Sequence, residues 1–274
     1  MTAIGKLTLK AWLGLLLTLG ALTVALAAPW LVPDDPLRTD FARSLKPPGT
    51  PGNPLGTDQL GRDLLARVLY GARLALFIGA CTVVVTAVVG GLLGLLAGFV
   101  ERWPSAVLMR IADVQLSFPF ILLALTINAI VGLGLRNIIL SLSAAGWVVY
   151  ARVVRGEVLS VKQRDYIQAA AALGVGRARL LFRHVLPNVA PSIIVVASLQ
   201  FSQFIVAEAA ISFLGFGVQP PTPAWGSMLS ESRDFLYVAW WLAAFPGLAL
   251  AGTALGVNLI GDWLRDTLDP KLRV

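Results

Sequence analysis

Apolar residues occupy the chain in long runs, and short polar segments separate these runs. A helix needs about 20 mostly apolar residues to cross the hydrocarbon core of a membrane. The runs predict six such helices, at residues 11–32, 74–100, 107–131, 138–154, 189–213 and 238–260. The pattern therefore predicts an all-α membrane protein with six transmembrane helices.

The first run has an alternative interpretation as a cleaved signal peptide. Lys6 and Lys10 precede it, and Ala25-Leu26-Ala27 resembles a signal-peptidase site. The apolar region of a signal peptide usually has about 7–15 residues, whereas this run extends for about 20. The length favours a permanent membrane anchor.

Composition agrees with a membrane protein and excludes a soluble domain. Hydrophobic residues make up 57% of the 274 residues and charged residues 14%, against about 45–50% and about 25% in soluble domains. The net charge of +7 comes from basic residues mostly in short loops, which indicates membrane topology rather than a nucleic-acid partner. Cys81 and His184 are the only residues of their kinds. The sequence therefore offers neither an intramolecular disulfide nor a cysteine or histidine metal cluster.

The distribution of lysine and arginine predicts the orientation, because cytoplasmic loops carry more of them. With a cytoplasmic N-terminus, the inner side holds Lys6, Lys10, Arg102, Arg110, Arg152, Arg155, Lys162, Arg164, Arg177, Arg179, Arg183, Arg265, Lys271 and Arg273. The outer side then holds Arg38, Arg43, Lys46, Arg62, Arg67, Arg73, Arg136 and Arg233. We therefore expect both termini in the cytoplasm and residues 33–73, 132–137 and 214–237 outside.

Two runs carry patterns that predict packing between helices. Small residues recur at every fourth position of the second run, at Thr82, Thr86, Gly90, Gly94 and Gly98. This spacing places them along one ridge, where a neighbouring helix can approach closely, and a sliding face is the functional alternative.

Arg110 and Asp113 in the third run are three residues apart and therefore share one helix face. We expect an ion pair there, within the helix or to a neighbour. Direct contact with a ligand is the alternative.

The fifth run carries polar residues around most of its circumference and cannot present a broad face to lipid. At 100° per residue one sector roughly 120° wide holds four of them, which are Ser198, Ser202, Glu208 and Ser212. We expect this helix at the centre of the bundle or beside a water-filled passage, with these four as candidate pathway-lining residues. An acid inside a span is costly, so Glu208 should have a partner or face water.

The longest segment predicted for the cytoplasm, residues 155–187, has the pattern of a helical hairpin. Asp165 is a candidate N-cap, and Gln168 follows at the third helical position, as in a capping box. Alanines come next, and Gly174 takes the usual place of a helix C-terminus. A second, basic helix is predicted over residues 177–187. The alanine-rich end could fit a groove on another protein, and packing on its own bundle is the alternative.

This segment resembles the cytoplasmic loop motif of ABC-importer permeases, which is Glu-Ala-Ala, three residues, Gly, nine residues, Ile, one residue and Leu-Pro. The matching residues are Ala169, Ala170, Gly174, Leu186 and Pro187. Gln168 replaces the glutamate of the motif, and His184 replaces its isoleucine. The glutamate change weakens an argument from a charged contact but leaves the hairpin itself intact.

Residues 53–76, 110–125 and 207–229 also resemble permeases of the dipeptide/oligopeptide/nickel type, specifically the second of the two permease subunits. The resemblance implies a type I ABC-importer permease fold in a bacterial inner membrane. It divides the chain into residues 1–73, with the first helix and an outer loop, a permease core of five helices at 74–260, and a cytoplasmic tail at 261–274. The core includes a coupling loop at 155–188.

The implied partners are a second, homologous permease subunit, two ABC ATPase subunits, an extracytoplasmic substrate-binding protein and membrane lipid. No nucleic acid is expected. The chain contains no G-x-x-x-x-G-K-[ST] phosphate loop. This absence agrees with the family, whose permeases have no ATPase of their own. The resemblance therefore implies a non-catalytic chain that binds no cofactor, while the partner ATPases use ATP and Mg²⁺.

The resemblance also assigns roles to two loops. The ATPase-coupling loop comprises Asp165, Gln168, Ala169, Ala170, Gly174, Leu186 and Pro187. A candidate outer gate or binding-protein contact comprises Pro220, Pro221, Pro223 and Trp225. A plain interfacial turn is the alternative for the latter. The stretch from Asp58 is expected to be an amphipathic helix at the outer interface, with Arg62, Arg67 and Arg73 toward water or head groups.

The predicted function is that of a permease subunit forming half of the pathway for di- or oligopeptides. Nickel or a metal chelate is the alternative cargo. From other classes, an ion-coupled secondary carrier or a channel would be favoured if Glu208 were essential for flux without an ATPase. An intramembrane enzyme is poorly supported by the sequence, which lacks an H-E-x-x-H motif.

Overall fold

The computed structural model describes residues 8–32, 35–100 and 103–268, and its ordered elements are helices. They are α1 (Leu9–Leu31), α2 (Leu64–Phe99), α3 (Trp103–Leu116), α4 (Phe120–Val131), α5 (Leu135–Lys162), α6 (Asp165–Ala172), α7 (Arg177–Leu180), α8 (Leu186–Phe213), α9 (Trp225–Ser232) and α10 (Trp241–Leu268). Within these ranges extended pairing is limited to two isolated bridges. The all-α prediction is therefore confirmed.

Five helices are long and apolar enough to cross a membrane, and α3 with α4 makes a sixth span if the pair is counted as one. The third span, predicted as one run at residues 107–131, consists of two helices, because α3 and α4 meet at an angle of 95°. The break falls at residues 117–119. Pro119 caps α4 and disfavours a helical conformation at the residue before it.

The helices extend beyond several predicted spans. Helix α2 begins at Leu64 rather than at residue 74, so the predicted amphipathic stretch continues directly into the second span. Helix α5 runs to Lys162, and α10 runs to Leu268, into the predicted tail. Residues 33–34 and 269–274 of the predicted loop and tail lie outside the described residues, as do Lys6, Arg102, Lys271 and Arg273.

Helices α2 and α5 pack along the predicted ridge of small residues. A Cβ atom on Gly90 would overlap the carbonyl oxygen of Trp147, and one on Gly94 would lie 2.6 Å from that of Ala151. Approaches this close leave no room for a side chain. Tight helix packing is therefore the role of the ridge in this structure.

Helix α8 lies in the middle of the bundle, against α2, α5, α9 and α10. This central position was expected from its polar residues, and Gln200, Ser202, Glu208 and Ser212 are buried. Helix α1 lies at the periphery, packed along α10 and α2. The bundle has two distinct ends. We call one the hairpin end, which carries α6 and α7, and the other the cap end, which carries the cap formed by residues 35–63 and 214–240.

Candidate functional site

The hairpin end joins α5 to α8 through two short helices that pack on the core. Ile167 of α6 is 2% exposed and belongs to an apolar cluster with Val158 and Val161 of α5 and Leu181 and Val185 beside α7. The predicted order of helix, glycine turn and helix is confirmed. The second helix is not a separate unit, because Leu181–Val185 forms a π-helical turn that continues into α8.

The N-terminus of α6 is capped differently from the prediction. Arg164 is the N-cap and makes no side-chain capping bond. Asp165 is the first helical residue, where its charge still interacts favourably with the helix dipole. The Gln168 side-chain amide donates to the carbonyl of Gln163 at 3.4 Å instead of closing a capping box. The capping-box prediction was therefore wrong, although the helix begins where it was expected.

The C-terminus of α6 ends at Gly174, as predicted. Gly174 has a φ of +81°, and its N–H donates to the carbonyl of Ala171 at 3.0 Å. The N–H of Val175 donates to that of Ala170 at 3.1 Å. These two bonds form a Schellman motif, which needs a residue that adopts positive φ easily. A Cβ atom at Gly174 would meet no other atom within 4 Å, so the requirement is conformational.

The surface of the hairpin is apolar at its centre and basic around it. Leu173 is 86% exposed, and Tyr166 and Phe182 are also exposed. Ala169 and Ala172 lie on the exposed side of α6 as well. Four exposed arginines surround this surface, and they are Arg164, Arg177, Arg179 and Arg183. Isolated exposed apolar residues are common, but a projecting apolar group with a charged rim is typical of a contact with another protein.

The start of α8 is tied back to α6 by residues that the sequence patterns did not single out. Arg164 Nη1 donates to Asn188 Oδ1 at 2.9 Å, and Asn188 Nδ2 donates to the carbonyl of His184 at 2.7 Å. Leu186 is half-buried and Pro187 is exposed, in the first turn of α8. The predicted basic helix was expected to end at Pro187, whereas the helix passes through this residue. The position of Asn188 directly after the Leu-Pro pair was the available signal.

The four predicted pathway-lining residues of α8 face their own chain. Ser198 is half-buried, and Ser202, Glu208 and Ser212 are buried. Glu208, 1% exposed, accepts a hydrogen bond of 2.6 Å from Ser212 Oγ. The expectation of a partner for this acid is met by a neutral hydroxyl. A lining role for the three buried residues would require movement of the helices around them.

The predicted contact segment in the cap divides into an exposed and a buried half. Pro220 and Pro221, joined by a cis peptide bond, are exposed. Pro223 and Trp225 are buried, and the indole Nε1 of Trp225 donates to the carbonyl of Val68 at 3.0 Å. The tryptophan therefore anchors α9 to α2 and cannot itself touch an external protein.

Two arginines predicted to face water are buried in a charged cluster of the cap. Arg62 Nε and Arg67 Nη1 each lie 2.6 Å from Asp58 Oδ2. Both guanidinium groups also reach Glu231 Oε2 of α9, at 3.2 and 3.1 Å. Only Arg73 is exposed, as expected. Two positive and two negative charges balance here, which is how a protein keeps ionised groups out of water.

The ion pair expected at Asp113 connects two helices. Arg152 Nη2 of α5 contacts Asp113 Oδ1 of α3, and both side chains are about half exposed. Arg110 is exposed and forms no ion pair among the described residues. The side chain of Gln115 also holds α3 to α5, by donating to the carbonyl of Ala145 at 2.8 Å. Helix α3 is thus fastened to α5 by polar bonds.

The described part of the chain contains no group of three or more His, Cys, Asp or Glu side chains that could hold a metal ion. The two candidate contact surfaces are the exposed hairpin at one end of the bundle and the cap at the other. A polar, partly buried helix connects them. This arrangement is suited to binding other proteins at both ends of a membrane span.

Comparison with known proteins identifies the family. A family model described as "binding-protein-dependent transport system inner membrane component" matches residues 90–274. The chain is 46% identical over 265 residues to the di/tripeptide transport system permease protein DppC of Pseudomonas aeruginosa, which covers 95% of this chain and 88% of the relative. It is 42% identical over 268 residues to the dipeptide transport system permease protein DppC of Escherichia coli, covering 96% and 89%.

A third relative carries a different substrate name. The glutathione transport system permease protein GsiD of Pectobacterium atrosepticum is 42% identical over 253 residues, covering 92% of this chain and 84% of the relative. These matches span nearly the whole chain, and the family model covers more than half of it. The chain therefore belongs to the family of binding-protein-dependent transport system inner membrane components.

Proposed function

We propose that the chain is one of two permease subunits of an ATP-driven importer that moves di- or oligopeptides across the inner membrane. The observation that carries this proposal is the exposed hairpin between α5 and α8, in a chain whose relatives are named as dipeptide, di/tripeptide and glutathione permeases. Those names all denote peptides, and they favour peptide over nickel as the cargo.

The hairpin end is the proposed docking site for an ATPase subunit. Leu173, Tyr166 and Phe182 supply apolar contact area, and the surrounding arginines suit a groove with an acidic rim. Helix α6 is packed on α5 through Ile167 and bonded to α8 through Arg164 and Asn188. A displacement of α6 would therefore be transmitted to both α5 and α8. Two partner ATPases would bind ATP and Mg²⁺, and this chain would supply mechanical coupling only.

The orientation proposed for the chain places the hairpin end and both termini in the cytoplasm and the cap end outside. The lysine and arginine distribution favours this orientation, and so does the cluster of exposed arginines on the hairpin. The cap then meets the substrate-binding protein. Within its 220–225 segment, Pro220, Pro221 and Thr222 are exposed and would make this contact, together with other surface of the cap.

Purification of the tagged chain from native membranes in mild detergent tests the assembly. We expect a second permease and ATPase chains to copurify, identified by mass spectrometry, with ATP hydrolysis in the same fraction. The complex, reconstituted in liposomes with its binding protein, should accumulate a labelled dipeptide only when ATP is supplied on the hairpin side. Uptake driven by an ion gradient without ATP would overturn the proposal in favour of a secondary carrier.

The coupling role of the hairpin has its own test. Gly174→Asp and Ala170→Trp should abolish ATP-driven uptake while the chain remains in the membrane, because both changes alter the surface or shape of α6. Gly156→Ala on α5 is the matched control, since its Cβ would meet nothing within 4 Å. Normal uptake by both hairpin variants would contradict the docking assignment.

A further inference from the structure

A cavity of about 260 Å³ opens where α2 leaves the cap. We call it the α2 groove. Four residues of α2 and two of the cap line it, and they are Tyr70, Arg73, Leu74, Phe77, Thr222 and Pro223. The part of α2 before the groove, residues 64–72, is mostly buried, and a Cβ atom on Gly71 would overlap the indole of Trp225. The groove therefore marks the edge of the cap on this helix.

The α2 groove carries a positive charge that the described chain does not balance. Arg73 is exposed and forms no ion pair with any residue that the structure describes. Arg62 and Arg67, a few residues earlier, each have two carboxylate partners. The half-buried Tyr70 also has no hydrogen-bond partner for its hydroxyl within the described ranges. A guanidinium group binds phosphate or carboxylate oxygens most strongly, because it can donate two parallel N–H bonds to them.

Toward the hairpin end, one face of α2 is exposed and apolar. It begins at Phe77 and continues through residues three or four positions apart, which are Ala80, Val84, Val88, Leu92 and Leu96. The stretch from Phe77 to Leu96 rises about 29 Å at 1.5 Å per residue, which matches the roughly 30 Å hydrocarbon core of a bilayer. The sequence between Arg73 and Leu96 contains no charged residue. Arg73 therefore lies at the cap-end boundary of this core, at the depth of the lipid head groups.

The residue types on this face favour lipid over a second protein as its cover. Contacts between membrane helices rely on small residues that let the backbones approach. Helix α2 carries such residues on the face that packs against α5, where a Cβ atom on Gly90, Gly94 or Gly98 would overlap that helix. The exposed face carries mainly large side chains instead, which suit contact with acyl chains.

We propose that the α2 groove binds a phospholipid of the leaflet at the cap end. Arg73 would donate to the phosphate oxygens, and Tyr70 would add a hydroxyl donor at the membrane interface, where tyrosine is enriched. An acyl chain would lie along Leu74 and Phe77. Because these two apolar residues extend the site toward the hydrocarbon, the ligand is a lipid and not a free phosphate ion.

This inference goes beyond the proposed function, because it concerns the membrane around the chain and not its cargo. The cap reaches the groove through Thr222 and Pro223. A lipid bound there would contact both α2 and the cap, and it would fix the depth of both relative to one leaflet.

Native mass spectrometry of the full chain, purified with the subunits that accompany it, measures this binding. Phosphatidylglycerol is added, and the lipid molecules retained on this chain are counted. Arg73→Gln should weaken retention about fivefold, the change expected for one basic residue near a membrane surface. Arg73→Lys keeps the charge and should retain most of the binding. Glycerophosphoglycerol, the same head group without acyl chains, should not compete with the lipid.

Arg136→Gln is the matched control. Arg136 is also an exposed arginine at the cap end, in the first turn of α5, but it does not line the α2 groove. Its removal should leave lipid retention unchanged. Equal losses in the two variants would indicate general attraction between arginine and head groups, and this result would overturn a specific site. Unchanged retention in Arg73→Gln would overturn it as well. Equal thermal unfolding midpoints without added lipid would show that both variants fold.

A spin label distinguishes lipid from protein as the cover of the exposed face. Val84→Cys in a Cys81→Ala background carries a nitroxide in the reconstituted protein. We expect frequent collisions of the label with oxygen, which concentrates in the hydrocarbon, and rare collisions with a water-soluble nickel chelate. Protection from both reagents would show that a second protein covers this face, and frequent collisions with the chelate would show that water does. Either result would overturn the inference and leave the proposed transport function intact.

Discussion

Two glycines, Gly174 and Gly215, end helices at opposite ends of the molecule with the same hydrogen-bonding pattern. Both have positive φ, and a Cβ atom added to either would meet no other atom within 4 Å. Their requirement is thus for a backbone conformation that costs other L-residues about 1–2 kcal/mol. At Gly174 that conformation directs the chain out of the hairpin turn and into α7.

The conformational requirement at Gly174 predicts a graded series of variants. Gly174→Ala should lower ATP-driven peptide uptake, because the strain shifts the end of α6. Gly174→Asn should lower it less, because asparagine tolerates positive φ better than alanine does. Uptake by the reconstituted complex measures both variants at equal protein content.

Gly176→Ala is the control for this series. Gly176 lies in the same turn and has a φ of −59°, with nothing within 4 Å of a Cβ atom. It should transport like the wild type. Equal losses in Gly174→Ala and Gly176→Ala would indicate that the turn is sensitive to any side chain and would remove the conformational explanation.

Single residues also mark the limits of what the sequence can predict. Gly174 is identifiable because glycine after an alanine-rich helix has a local meaning. The prediction that Arg62 and Arg67 face water was wrong. One of their two partners, Glu231, lies far along the chain, whereas Asp58, four residues before Arg62, was the part of the cluster visible in the local sequence. The prediction of an external contact at Trp225 failed for the same reason, since its acceptor belongs to Val68.

At the scale of elements, α2 and α5 form the closest helix pair in the bundle. Their contact rests on glycines whose missing side chains let the backbones meet. Such an interface has dispersion contacts along its whole length but little tolerance for added volume. It makes the two helices a fixed unit within the bundle.

This packing predicts opposite effects for neighbouring glycines. Gly94→Ala should destabilise the chain by about 1–3 kcal/mol, because its Cβ would lie 2.6 Å from the carbonyl oxygen of Ala151. Gly91→Ala should be neutral or stabilising, since the nearest atom to its Cβ is 3.9 Å away and alanine is the better helix former. Thermal unfolding midpoints of the two variants in detergent give the comparison.

The outcome for Gly91→Ala serves as the internal reference. Both substitutions add one methyl group to the same helix, so they share any effect on helix propensity or expression. A lower midpoint for Gly91→Ala than for Gly94→Ala would contradict the assignment of the packed ridge.

Helices whose presence depends on the length of an apolar run were predictable from the sequence. Bends and junctions, which depend on local backbone geometry, were less so. Six spans, the central position of α8 and the hairpin order followed from the sequence patterns. The bend between α3 and α4 did not, although Pro119 stands at its end, directly before α4. The length of an apolar run does not show whether the helix within it is continuous. The continuity of α7 with α8 was missed because Pro187 suggests a junction, while the π-helical turn before it keeps the helix continuous.

At the scale of the whole molecule, the cap joins parts of the chain that are distant in sequence. The cluster of Asp58, Arg62, Arg67 and Glu231 links the 35–63 segment and the start of α2 to α9. The indole of Trp241 on α10 adds a hydrogen bond of 3.2 Å to the carbonyl of Thr57. The cap therefore behaves as one body seated on α2 and α10.

Loss of one charge in this cluster should loosen the cap. Asp58→Asn leaves two buried guanidinium groups with a single carboxylate, at a cost of about 3–5 kcal/mol. We expect faster hydrogen exchange of the amides in residues 35–63 and earlier cleavage there by an added protease, with the membrane helices unaffected.

Asp35→Asn provides the comparison within the same segment. Asp35 accepts a hydrogen bond from the N–H of Leu37 at 2.9 Å in an exposed turn, and asparagine can accept the same bond. Protection of residues 35–63 should be unchanged in this variant. If both variants lost protection equally, the stability of the cap would not depend on the buried charges.

Family and general function were accessible from the sequence because they depend on motifs that lie within short windows. The prediction of a binding-protein-dependent permease is confirmed by the family match. The hydrogen bonds that Asn128 makes with Phe216 and Ser141 were not accessible, because these three residues lie on different parts of the chain and meet only in the folded bundle.

The unbroken helix from Arg177 to Phe213 has a mechanical consequence. At 1.5 Å per residue its 37 residues extend about 55 Å, from the hairpin at one end to the cap at the other. Near its middle, a Cβ atom on Gly261 of α10 would lie only 3.0 Å from Leu199. If the helix tilts about this close contact as one body, its two ends move in opposite directions. We therefore expect a displacement of the hairpin end to be accompanied by the opposite displacement of the cap end.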